Sequence, residues 1–170
     1  MTKYIALAVA AVFVGLDQWI KAWAVGGLTQ QITVIPGLFY LTYVENTGAA
    51  FGIFQGHTFA LGIFSLVISA AILVFLLSGK VNEFSLIWGL SLILSGGVGN
   101  LIDRLARGFV IDYLDFSALF NFPVFNLADC LVVVGTAIVI FHILFLDGKK
   151  KPDESDQNKL SEDGQAGESL

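Results

Sequence analysis

Residues 59–77 read FALGIFSLVISAAILVFLL, a run without one charged side chain. A helix crosses the hydrocarbon layer of a bilayer in about 20 apolar residues, so this run is read as a transmembrane span. Working outward, residues 84–102, FSLIWGLSLILSGGVGNLI, are equally free of charge and rich in small residues. Upstream, residues 4–25 are interrupted only by Asp17, Gln18 and Lys21. Downstream, residues 127–146 carry Asp129 near their start and His142 near their end. The fold class that follows is an all-α membrane protein, four transmembrane helices with a small β-rich extracytoplasmic segment.

Bulk composition agrees. Of 170 residues, 56% are hydrophobic and 14% charged, against roughly 25% charged in soluble domains, and the mean hydropathy is +0.79. A soluble fold of this length has no interior large enough for so much apolar surface. The net charge of −5 carries little information about partners, because residues 149–170 hold four Lys and six acids and contribute −2 of it. No basic patch is present, so nucleic acid is not an expected partner. A lone cysteine, Cys130, forms no internal disulfide and leaves the redox compartment open.

Topology follows from Lys and Arg placement. With both termini inside, the cytoplasmic side holds Lys3, Lys80 and the triple lysine 149–151, and the outer side holds Lys21, Arg104 and Arg107. Cytoplasmic termini are therefore expected, with an uncleaved first span, since charge interrupts the apolar run and no convincing small-x-small cleavage site follows it. The domain expectation is a four-helix transmembrane unit over residues 1–147 and a disordered cytoplasmic tail over 148–170. The first outer segment, 26–58, contains a hairpin pattern: 31–35 and 38–44 flank Pro36-Gly37, a type II turn dipeptide. The second, 105–126, reads as an interfacial loop.

Ionisable residues in or beside a span are costly and mark function by default. Here they gather at one membrane level. Asp17 lies toward the outer end of the first span, Asn100, Asp103 and Arg104 close the third, Asn126 and Asp129 open the fourth, and Asp112 lies between those two ends. Asp17 and Lys21, four apart with the acid first, share a helix face and can pair. Gly96, Asn100 and Asp103 fall on one stripe, where Gly96, Gly97 and Gly99 admit a second backbone. Bland readings stand beside these. Asp17 with Lys21 suits a structural interfacial pair equally well, and Asn126 and Asp129 suit an N-cap and its N3 acid. Arg107 is expected to snorkel to headgroups, Asp115 to be a solvated loop acid, and Cys130 to pack as a small apolar residue. His142 lies roughly 20 Å along the helix from Asp129 and is read as structural. No group has metal-ligand spacing.

Several segments in this order resemble the lipoprotein signal peptidases, or signal peptidase II: LDQWIK (16–21), ENTGAAF (45–51), GNLIDR (99–104), VIDYLDF (110–116) and FNLAD (125–129). The likeness covers residues 3–146. Tyr113 stands where Phe is common, and Phe109 where the pattern is usually polar. The resemblance implies an aspartic endopeptidase of the bacterial inner membrane, its site at the extracytoplasmic surface, with Asp112 and Asp129 as catalytic carboxylates. It implies Asn46, Asn100, Arg104 and Asn126 as substrate-binding residues and Asp17, Lys21 and Asp103 as supports. The implied substrate is a diacylglyceryl-modified prolipoprotein cut just before its lipidated cysteine. Membrane lipid is the surrounding partner, a monomer is the expected state, and no metal or organic cofactor is implied.

Three rivals differ in kind. A proton-coupled carrier or channel component would place acids at several depths, whereas these cluster at one. A Ser-Lys peptidase using Lys21 lacks a nucleophile setting at Ser95 or Ser117. A presenilin-like enzyme requires Gly-x-Gly-Asp where this chain has Gly97-Val98-Gly99-Asn100.

Overall fold

The computed structural model describes residues 1–49, 53–119 and 122–146. It divides into two units after Ile140, and of the second only residues 141–146 are described, helical to Phe145. The expected boundary at 147 and the tail over 148–170 lie outside the described residues, as do Ala50 and Phe51 of the second motif.

The element order is α1 (Thr2–Gly27), β1 (Ile32–Ile35), β2 (Phe39–Asn46), α2 (Thr58–Leu77), α3 (Phe84–Arg107), β3 (Val110–Asp115) and α4 (Leu127–Phe145). All four helices are long and apolar enough to cross a membrane, as their sequences require. Their burial tells them apart. In α3, 44% of the most apolar window is buried, against 17–22% in the others, so α3 is the central helix. In α2 the buried positions are Gly62, Ser69 and Leu76, a stripe repeating every seven residues, and most of its remaining apolar surface is exposed. In α1 the stripe is Ala6, Ala10, Asp17, Lys21 and Ala24, a helical face that turns from small apolar to charged along its length.

Small residues let α3 approach its neighbours. A Cβ on Gly96 would stand 2.1 Å from the Ala128 carbonyl oxygen of α4, and one on Gly135 would stand 2.5 Å from the Gly89 oxygen. A Cβ on Gly97 would meet Ser69 Oγ of α2 at 2.9 Å, and one on Gly99 would meet Asp17 Oδ2 of α1 at 2.7 Å. The glycine stripe expected to admit a second backbone does so at Gly96, while Gly97 and Gly99 admit the side chains of Ser69 and Asp17. Ser95 Oγ adds a bond to the Ala10 carbonyl at 3.0 Å, a satisfied polar contact of the kind that joins helices without a hydrophobic drive.

The expected hairpin forms. Gly37 has φ +74° and Leu38 N–H donates to the Ile35 carbonyl at 3.1 Å, closing the turn that Pro36-Gly37 predicts. β2 then pairs antiparallel with β3, giving the order β1-β2-β3. Residues 110–115 are therefore strand and not the interfacial loop expected. The strand hides because both its faces are buried. Ile111 and Tyr113 pack with Ala24 and Leu28 at the end of α1, while Val110 and Asp112 face a cavity. The apolar-polar alternation that signals a half-solvated strand is thus absent. The third span also runs five residues beyond the expected 102, ending only at Gly108 in the left-handed conformation (φ +81°), a glycine C-cap.

Candidate active site

The polar residues of α1, β2, β3 and the facing ends of α3 and α4 converge on one cluster. Its front borders a cavity of about 860 Å³ lined by Asn46, Asn100, Arg104, Asp112 and Asp129, with apolar walls from Val124, Phe125, Val132 and others.

Asp112 and Asp129 are both held by amides. Asn46 pairs with Val110 in the β2–β3 register, and Val44 with Asp112. Asn46 and Asp112 are therefore diagonal neighbours on one face, and Asn46 Nδ2 donates to Asp112 Oδ2 at 2.9 Å. Asn126 Nδ2 donates to Asp112 Oδ1 at 2.7 Å, and also reaches Asn100 Oδ1 and the Ile111 carbonyl. The same Asn126 caps α4. Its Oδ1 accepts from Asp129 N–H at 2.9 Å, and its own N–H donates to Asp129 Oδ2 at 3.2 Å, a reciprocal capping box. Asn100 Nδ2 completes the set with a 2.7 Å bond to Asp129 Oδ1. The capping role read for Asn126 and Asp129 and their place at the cavity are thus the same geometry.

Asp112 is 2% exposed. Burial, with the Asp129 carboxylate close by, pushes its carboxyl up to about 7, against donors from Asn46 and Asn126 that pull it down. A carboxyl so placed carries or releases a proton near neutrality, as an acid–base catalyst must.

Behind this front lies a wholly buried charge cluster. Asp17, Lys21 and Asp103 are each 0% exposed. Lys21 Nζ lies 2.9 Å from Asp17 Oδ2, 2.9 Å from Asp103 Oδ2 and 2.9 Å from Asn100 Oδ1. The interfacial-pair reading of Asp17 with Lys21 does not describe this. The pair is internal and joins a third carboxylate. Arg107 is likewise no headgroup anchor. It pairs with Asp103 Oδ1 and donates to Gln18 Oε1. Gln18 Nε2 in turn reaches the Gly99 carbonyl at 3.0 Å and Asp103 Oδ1 at 3.2 Å.

Gln18 and Arg107 are the residues sequence reasoning missed. The signal for Arg107 was present, since Asp103 and Arg107 repeat the acid-first spacing of Asp17 and Lys21. Arg104 Nη2 donates to the Gly48 carbonyl at 3.2 Å, fastening the segment after β2. Its buried Nε has no hydrogen-bond partner among the described residues. Asp115, expected to be solvated, is 4% exposed. It accepts bonds from Thr42 Oγ1, Gln31 Nε2 and Ser117 N–H, tying the three strands together. Although burial raises its carboxyl, those donors hold it below the usual range. Cys130 is half-buried and lines the cavity. Among the described residues no cluster of three or more His, Cys, Asp or Glu is placed to hold a metal ion.

Four apolar helices, with a buried polar cluster where a small sheet meets one end of the bundle, define a multi-pass membrane protein of enzymatic type. Comparisons with known proteins narrow the class. A family model described as Signal peptidase (SPase) II matches residues 9–145. The lipoprotein signal peptidase of Clostridioides difficile is 41% identical over 147 residues, covering 85% of this chain and 98% of that protein. The lipoprotein signal peptidase of Streptococcus thermophilus is 40% identical over 141 residues, covering 81% and 92%. A solved bacterial membrane enzyme superposes with a TM-score of 0.79 at 28% identity, covering 88% of this chain and 93% of its own. The chain belongs to the signal peptidase II family and is a membrane peptidase.

Proposed function

We propose that this peptidase removes signal peptides from diacylglyceryl-modified prolipoproteins, cutting just before the lipidated cysteine, with Asp112 and Asp129 activating the water. The observation that carries the reading is that both carboxylates border one cavity and are coupled through Asn126. Two carboxyls so close do not both ionise readily and share a proton as a pair. The ionised member takes a proton from water as the oxygen attacks the scissile carbonyl. The protonated member polarises that carbonyl and then protonates the leaving amine. Asn46, Asn100 and Asn126 hold the dyad, and Arg104 beside it supplies positive charge for the developing oxyanion.

Largely apolar walls suit a substrate with a greasy helix and two acyl chains. The cluster lies toward the far ends of α1 and α3 from their N-termini, on the side of the bundle opposite Lys3 and Lys80, which supports cytoplasmic termini and an extracytoplasmic site. The proton-relay alternative finds no comparable support, because among the described residues the buried carboxylates and Lys21 sit at one end of the bundle and not along a path through it.

The test is cleavage by the purified chain of one precursor presented with and without its diacylglyceryl group. Cutting of the lipidated form alone, before the cysteine, is expected. Equal cutting of both forms, or none of either, contradicts the proposal.

A further inference from the structure

Asp112 and Asp129 meet through Asn126, and the aim of that side chain depends on how the main chain to either side of it is held. The residue that holds it is the one that follows Asp112. Tyr113 N–H donates to the Phe125 carbonyl at 3.0 Å, the oxygen of the peptide unit that enters Asn126. Tyr113 Oη accepts the Leu127 N–H at 3.2 Å, the hydrogen of the peptide unit that leaves it. A single residue thus grips both of the rigid planes that meet at the Asn126 Cα, and two held planes set the direction in which the side chain departs.

The two grips are not equal. The Phe125 carbonyl also accepts Leu114 N–H at 2.8 Å, so the first plane stays on β3 without Tyr113. The second plane has its carbonyl bonded to Cys130 N–H at 3.3 Å, a contact inside α4. The phenol is therefore what ties that plane to the sheet. Leu127 N–H is among the first amides of α4, which find no carbonyl partner within their own helix, and a phenol oxygen supplies the acceptor. Tyr113 is 3% exposed and packs with Ile111, Ala24 and Leu28, and it is absent from the cavity lining. A phenylalanine, common at this position in the family pattern, would fill the same space and leave the amide without that acceptor.

We infer that the Tyr113 hydroxyl is a positioning group of this chain, which fixes the first turn of α4 against β3 so that the Asn126 side chain joins Asp112 to Asp129. The inference rests on the proposed roles of those two carboxylates and adds a residue that the resemblance does not supply. Burial raises the phenol above its usual range, so it keeps its proton and acts as a neutral acceptor.

The test compares Tyr113→Phe with the native chain on lipidated precursor, through kcat, KM and the pH dependence of kcat/KM. Active sites are counted with a non-cleavable lipidated peptide, so that a folding loss reads as fewer sites and not as a lower kcat. The expected kcat per site is about fivefold lower, the scale of one hydrogen bond removed from the framework. KM should stay within about twofold, because no substrate contact is lost. The alkaline limb of kcat/KM should also move to higher pH, by about half a unit. The Asn126 amide holds the Asp112 carboxyl down, so an amide less well aimed lets it rise. The charged groups facing Asp112 are Asp129, Lys21 and Arg104, beside the amide of Asn46, and the variant replaces none of them. A native kcat, a lower kcat with an alkaline limb that stays or moves down, a loss confined to KM or a loss confined to the number of sites overturns the inference. Failure of the native chain to cut the lipidated precursor, or a native rate in Asp112→Asn, instead overturns the proposed function, so the failures are distinguishable.

Discussion

The side-chain amide of Asn126 lies 2.7 Å from Asp112 Oδ1. From the N-cap of α4, one residue thus binds the carboxylate of a strand fourteen positions earlier while its backbone N–H binds Asp129. A helix cap thus bridges the two carboxylates of the proposed dyad.

Asn126→Ala therefore removes two things at once. Loss of the cap costs about 1 kcal/mol and shows as a lower melting temperature in detergent. Loss of the bridge leaves Asp112 held by Asn46 alone and should lower kcat by about 100-fold. Thermal unfolding together with single-turnover rates on lipidated precursor separates the two, and a melting shift with native kcat would mean that the bridge is only structural.

The proposed role of Asp112 predicts a pH limit on the activity. Its carboxyl is pushed up to about 7 from a usual value of 3.8. The folded protein therefore keeps that proton across a window in which the unfolded chain has lost it. The stability this contributes is full below the unfolded value and is lost as pH rises through about 7. If Asp112 is the acid of the proposed mechanism, that proton is the one donated, and kcat/KM should fall on the alkaline side of the same pH. Rates measured from pH 5 to 9 check this, and a rate still rising at pH 9 would remove the acid role.

Asp115 sits three residues from Asp112 and separates structure from chemistry. Its carboxylate accepts from Gln31, Thr42 and Ser117. Asp115→Ala leaves those donors without their acceptor, at about 1–3 kcal/mol. Asp115→Asn keeps an acceptor. Both variants should keep kcat within about threefold per folded molecule, since the side chain touches neither dyad member, with Asp115→Ala clearly the less stable. Loss of kcat in Asp115→Asn would show that the wrong acid of the VIDYLD run has been assigned.

Two glycines give opposite outcomes. A Cβ at Gly96 collides with the Ala128 carbonyl at 2.1 Å, while one at Gly15 meets nothing within 4 Å. Gly96→Ala should force α4 from α3 and carry Asp129 with it, abolishing cleavage. Gly15→Ala should leave cleavage unchanged and stabilise α1 by about 0.5–1 kcal/mol. Parallel cleavage assays and melting curves report both.

How much of this was readable in the chain depends on range. The spans were readable because an apolar run must exceed the bilayer thickness, and 59–77 does so with no interruption. The hairpin was readable because Pro36-Gly37 dictates its turn locally. The strand 110–115 was not, because α1 covers one face and the cavity the other, erasing alternation. The end of α3 was missed because Asp103, Arg104 and Arg107 look like an exit into water. Asp103 and Arg107 are in fact consumed by α1, through Gln18 and Lys21, and Arg104 by the segment after β2. Those partners lie more than fifty residues away in sequence, and no local pattern encodes such a pairing. Asp112 and Asp129 came from resemblance; geometry now shows them bordering the same cavity.

The most direct test is cleavage of lipidated precursor by Asp112→Asn and by Asp129→Asn, each purified from membranes beside the native chain. Asparagine keeps the size and the inserted fold but can neither take nor donate the catalytic proton, so each single change should reduce cleavage by at least about 1,000-fold, within the range for removal of acid–base catalysis. Processing at a native rate by either variant would contradict the dyad.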